Sequence, residues 1–101
     1  MAKVKSYAAL QADKPLNPYE INRREINSDD VNIDILYCGV CHSDIHMARN
    51  EWNNSSIYPM VPGHEIIGTV KEVGANVTKF KIGDKVGVGV YVDACEKCHN
   101  C

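Results

Sequence analysis

The chain closes on a fixed beat of thiols, Cys95-Glu96-Lys97-Cys98-His99-Asn100-Cys101, and this constrains the fold more than any other feature. Two residues between neighbours let all three sulfurs turn toward one centre. Zinc takes thiolates at about 2.3 Å in a tetrahedron, and tight turns between ligands suit that geometry. Free cysteines are often small buried apolar residues, but the polar Glu96, Lys97, His99 and Asn100 make this segment loop-like. A closed structural site needs a fourth ligand. His99 sits beside Cys98 and would need a strained bite, so the fourth ligand is expected beyond Cys101.

A second constellation lies upstream: Cys41-His42-Ser43-Asp44-Ile45-His46, then Gly63-His64-Glu65. A cysteine and a histidine from separate segments suit an open catalytic zinc, which draws ligands from distant places and leaves one position for substrate. Asp44 could accept the second ring N–H of a ligating histidine and fix its tautomer. Each stretch alone is weak, because a histidine in a turn is usually a surface residue. Beside a thiol-rich knuckle the pair gains weight.

Length and charge narrow the classes. The 101 residues fit one domain, with 45% hydrophobic and 24% charged side chains, which are globular values. The net charge of -2 argues against a nucleic-acid module and gives no reason to expect a membrane partner. No apolar run approaches a transmembrane span, and the first ten residues lack the continuous apolar segment of a signal peptide. The expected location is the cytoplasm, where five cysteines are thiols or metal ligands.

The pattern along the chain is mostly β. Lys3 to Leu10 reads as a strand, and Pro15 and Pro18 then exclude a helix interior. Val31, Ile33 and Ile35 alternate with polar neighbours, as a half-buried strand does. Cys38, at the end of that strand, reads as core. Ile45, Ala48 and Trp52 share one face of a short helix, with Ser43 or Asp44 as N-cap. Pro59 and Pro62-Gly63 enforce a loop. Ile66 to Val73 is a strand, Gly83-Asp84 a turn, and Val86, Val88, Val90 and Val92 alternate in a last strand whose glycines suggest a bulge or close backbone contact. A small β-barrel with one short helix would bury such strands without open edges.

Three other readings compete. Cys38-x-x-Cys41-His42 and Cys95-x-x-Cys98-His99 both spell the haem-attachment signature of a dihaem cytochrome, which belongs to exported proteins. A stand-alone zinc-binding module needs a far shorter spacer between Cys41 and Cys95 to form a ribbon. A thioredoxin-like role for Cys38 and Cys41 lacks its βαβ context. No G-x-G-x-x-G fingerprint occurs, since Gly87-Val88-Gly89-Val90-Tyr91-Val92 fails at its third glycine.

Cys41-His42-Ser43-Asp44, Trp52 eleven residues after Cys41, Val61-Pro62-Gly63-His64-Glu65, Gly83-Asp84-Lys85-Val86-Gly87-Val88-Gly89 and the closing knuckle together resemble zinc-dependent medium-chain alcohol dehydrogenases, and most of all the cinnamyl alcohol dehydrogenase group. The resemblance runs in order over nearly the whole chain. It implies that residues 1–101 are the N-terminal part of a GroES-like catalytic domain, incomplete at the C-terminus and without the Rossmann cofactor domain. It implies a zinc-dependent, NADP(H)-linked enzyme acting on a small alcohol or aldehyde, with these residues inactive alone. Cys41 and His64 would hold catalytic zinc, in the Cys2His set known for alcohol dehydrogenases. Glu65 would be the carboxylate able to exchange onto the metal, and Asp44 would orient His64. Ser43 would hold the substrate hydroxyl and begin a proton relay that His46 extends. His42 would lie near the cofactor phosphates, and Trp52 would line the substrate pocket. Cys95, Cys98 and Cys101 would be structural zinc ligands, bound weakly while the fourth is missing. Strands left open would favour association, as in a homodimer.

Overall fold

A computed structural model describes residues 2–101. Six elements follow one another: β1 (Ala2–Ala8), β2 (Asn17–Arg23), β3 (Val31–Cys38), α1 (His42–Ala48), β4 (Ile66–Val73) and β5 (Lys85–Val88). The chain is mainly β with one short helix, as expected. All three strand pairings are antiparallel.

β1 and β2 form a hairpin in register from Ala2 opposite Arg23 to Ala8 opposite Asn17. β2 went unread because Pro15 and Pro18 mark a break. Pro18 lies opposite Tyr7 in a two-stranded sheet, and proline is tolerated at such an edge. β1 stops at Ala8, earlier than the expected Leu10. Ala9 instead exchanges two hydrogen bonds of 2.8 Å with Met60 and ties the hairpin to the loop before His64.

β4 is the centre of a second sheet, in the order β3-β4-β5. Gly68 faces Ile35 at a register shift in β3. A Cβ at Gly68 would stand 2.4 Å from the Asp34 carbonyl oxygen and 2.5 Å from Ile33 Cγ2, so only glycine lets the strands approach. The close contact expected in β5 thus falls in β4: beside Gly87 there is ordinary contact and beside Gly89 open space. β5 ends at Val88, and Val90 (66% exposed) and Val92 (74%) stand in solvent rather than in a strand. Cys38 is exposed too, not core.

The helix is where spacing misled. Its N-cap is Cys41, in extended conformation (φ -119, ψ 151), not Ser43 or Asp44. Asp44 takes the third helical position and accepts the Cys41 N–H at 3.0 Å. Asn50 turns left-handed at φ 59 and stops the helix, so Trp52 lies beyond it rather than on its face.

Only Ala8, Ala9 and Val70 are buried hydrophobics among the described residues. A folded monomer of this mass exposes about 5,700 Å², whereas this chain exposes 8175 Å². The two sheets are small and open-edged, and no closed barrel forms within these residues.

Candidate active site

The N-terminus of α1 and the loop into β4 meet at one point. Cys41 caps the helix and His64-Glu65 lead into Ile66, the first residue of β4. Ligand atoms of Cys41, His64 and Glu65 all lie within 4.8 Å of one another. The Glu65 carbonyl accepts the Gly39 N–H at 2.7 Å, and a Cβ on Gly39 would stand 2.8 Å from Glu65 Oε1. The missing side chain at Gly39 is what leaves the carboxylate its room.

Around these three the polar groups are ordered. Asp44 Oδ1 lies 3.1 Å from His64 Nδ1. An Nδ1–H donated to that carboxylate leaves Nε2 with its lone pair turned toward the cluster. Glu65 Oε2 is 3.8 Å from that Nε2. Ser43 Oγ sits 3.2 Å from Cys41 Sγ and 3.4 Å from His64 Nε2. The Ser43 hydroxyl, the Ser43 backbone N–H and His64 pull the Cys41 thiol below its ordinary pKa. Cys41, with Asp44 behind it, raises that of His64. A soft sulfur with thiolate character, an imidazole of fixed tautomer and a nearby carboxylate form a donor set that fits zinc.

His46 points along another line. Its Nδ1 is 2.9 Å from Glu51 Oε1. The Trp52 ring stacks on it at 5.2 Å and 28°, and the His42 ring meets it edge-on at 4.6 Å. Expected site residues 41, 43, 44, 64 and 65 thus form one cluster, while 42, 46 and 52 form an aromatic group beside it. Glu51, Asn50 and Ser56 were missed. The readable signal was an asparagine two residues past Ala48, a helix-stop residue type.

The knuckle also converges. Cys95, Cys98 and Cys101 lie within 4.8 Å of one another, and His99 is outside the cluster. Cys101 Sγ is 3.5 Å from Cys95 Sγ and 3.2 Å from Cys98 Sγ. Zinc–sulfur bonds of about 2.3 Å in a tetrahedron give edges of roughly 3.8 Å, so small adjustments admit an ion. The Lys97 N–H, helped by Cys98 and Cys101, brings the Cys95 thiol down to about 6.

The alcohol dehydrogenase GroES-like domain family matches residues 27–101. The chain belongs to that family. A probable mannitol dehydrogenase of Stylosanthes humilis is 52% identical over 99 residues, covering 98% of this chain and 27% of the relative. A probable cinnamyl alcohol dehydrogenase of Oryza sativa subsp. japonica is 58% identical over 94 residues, covering 93% and 26%. Among solved structures, a cinnamyl alcohol dehydrogenase of Sorghum bicolor superposes with a TM-score of 0.92 at 48% identity, over 99% of this chain and 28% of its own. The enzyme CAD from Helicobacter pylori, complexed with NADP(H), does so at 0.92 and 52%, over 98% and 28%. This GroES-like domain segment therefore spans about 27% of the length of the curated relatives it matches, and its homologues are alcohol dehydrogenases.

Proposed function

We propose that this segment carries the catalytic-zinc half of an NADP(H)-linked alcohol dehydrogenase, interconverting a small alcohol and its aldehyde. The observation that carries the reading is the meeting of Cys41, His64 and Glu65 within 4.8 Å, from two segments braced by Asp44. Cys41 and His64 hold the ion, and Glu65 is the carboxylate able to exchange onto it. Zinc bound there supplies Lewis-acid polarisation of the substrate oxygen. The hydride carrier would be a nicotinamide cofactor, held by residues of the full-length protein outside this segment.

The chain's own groups position substrate and move the proton. Ser43 Oγ, between Cys41 Sγ and His64 Nε2, would hold the substrate hydroxyl and release its own proton as it takes the substrate's. His46, hydrogen-bonded to Glu51 and not in contact with Ser43, would receive that proton through an intervening hydroxyl or water and pass it to solvent. His42 would lie near the cofactor phosphates, and Trp52 would wall the pocket, which favours apolar or aromatic substrates. Cys95, Cys98 and Cys101 hold a second, structural zinc. Five free thiols support a reducing, cytoplasmic location. The open sheet edges support association into a homodimer, which the solution mass of the full-length protein by light scattering would check.

In the full-length protein, Cys41→Ser and His64→Ala each abolish NADPH-dependent aldehyde reduction while the structural zinc stays bound. Normal turnover in either variant defeats the ligand assignment. The 101 residues alone do not reduce aldehyde, and measured reduction would refute that division of labour.

A further inference from the structure

The turn after α1 is tied more firmly than its exposed position demands. Glu51 N–H donates to the His46 carbonyl at 2.9 Å and Asn50 N–H to the Met47 carbonyl at 3.2 Å. This is the bond pair of a Schellman stop, whose left-handed position usually takes glycine. Asn50 occupies it at φ 59. A backbone need alone is met best by glycine, so the reason for asparagine lies in its side chain.

That side chain reaches across the loop. Asn50 Oδ1 accepts the Ser56 N–H at 3.1 Å, and Nδ2 donates to Asn54 Oδ1 at 3.2 Å. Ser56 Oγ donates to the Met47 carbonyl and Tyr58 OH to the Ala48 carbonyl at 2.8 Å. One half-buried carboxamide thus staples the far end of the 51–56 loop to the helix stop. Between the stapled points lie Glu51, at His46 Nδ1, and Trp52, flat against the His46 ring. Trp52 is 47% exposed.

We propose that Asn50 is a positioning residue: its carboxamide holds the 51–56 loop so that Trp52 stays stacked on His46 and presents a fixed wall to an aromatic substrate. The proposal rests on the reading of Trp52 as a pocket wall. A wall fixed before substrate arrives spares the ordering cost at binding. Releasing it therefore weakens capture of aromatic substrates and leaves the chemistry at Cys41 and His64 in place.

The test uses the full-length protein labelled with 5-fluorotryptophan, the Trp52 fluorine signal being assigned with Trp52→Phe. Asn50→Gly keeps the left-handed backbone at ease and deletes only the carboxamide. Asn50→Asp keeps an oxygen to accept the Ser56 N–H. In Asn50→Gly the Trp52 signal moves toward its unfolded position while the protein stays folded, its melting temperature lower by a few degrees at most. The KM for cinnamaldehyde rises about tenfold while kcat and the KM for acetaldehyde stay within about twofold. Asn50→Asp recovers most of both losses. A Trp52 signal and KM in Asn50→Gly equal to those of the unmodified protein overturn the proposal. Should Trp52→Ala leave the KM for cinnamaldehyde unchanged, the pocket-wall reading fails instead, and the fluorine shift alone then decides whether Asn50 positions the ring.

Discussion

Asp44 reaches both proposed catalytic ligands with one carboxylate: Oδ1 lies 3.1 Å from His64 Nδ1 and Oδ2 accepts the Cys41 N–H at 3.0 Å. It is only 14% exposed, so little water competes. Asp44→Asn keeps the volume but leaves one neutral oxygen and puts an NH2 donor in place of the other, so at most one of the two bonds survives. Partners of this kind typically contribute 10- to 100-fold to metal affinity, and a loss of about that size is expected. Competition against a chromophoric chelator measures it, and an unchanged dissociation constant would show that the brace does not support the ligands.

The knuckle offers a spectroscopic handle. Cobalt(II) added to the 101-residue chain is expected to give thiolate charge-transfer absorption near the ultraviolet from Cys95, Cys98 and Cys101 together. Cys98→Ser removes roughly a third of that intensity, because one of three thiolates is lost. Excess chelator abolishes the band. Equal intensity in the serine variant means that the three sulfurs do not share an ion.

A pH effect follows from Asp30. Its bond from the Arg24 guanidinium, with the Asn27 N–H second, lowers its carboxyl from 3.8 to about 2. A group whose folded pKa is depressed contributes stability that is whole above the unfolded value and is lost as pH falls through the folded one. Asp30→Asn is therefore expected to lower the melting temperature at neutral pH, with the gap closing as pH falls from about 4 to about 2. A gap that stays constant across that window would assign the effect to something other than the Asp30 charge.

Gly68→Ala tests the central strand. The new Cβ meets backbone, the Asp34 carbonyl oxygen at 2.4 Å, as well as Ile33 Cγ2 at 2.5 Å, so no flexible side chain can simply swing away. Overpacking of this kind costs about 1–3 kcal/mol. A lower urea midpoint at unchanged slope is expected, and a midpoint within error of the parent would mean that the β3–β4 spacing tolerates the methyl group.

What the sequence disclosed was chemistry that declares itself by residue type. Cys41 with His64-Glu65, and the Cys95-Cys98-Cys101 beat, point to shared centres wherever loops permit, and the structure brings both sets together. β3 and β4 were legible because Val31 to Ile35 alternate and Ile66 to Val73 is rich in β-branched residues. β2 was hidden by Pro18, whose edge position depends on a partner strand that local pattern does not reveal. The Val90–Val92 alternation overran β5 because spacing carries no record of where a neighbour strand ends. Trp52 was placed on the helix because a three-and-four spacing continues through Asn50, while the left-handed turn there breaks it. The roles of Asn50, Ser56 and Glu51 depend on bonds across that turn, which no periodicity encodes.

The brevity of α1 has a consequence of its own. Seven residues fall well short of the roughly 12–15 that an isolated helix needs in water. The segment bearing Cys41 and Ser43 therefore takes its shape from what borders it: the Asp44 brace in front and, behind, the backbone bonds from Asn50 to Met47 and from Glu51 to His46. Those rear bonds run through main-chain atoms and outlast the loss of a side chain at residue 50. The aim of the sulfur at residue 41 is thereby insulated from changes in the loop that follows.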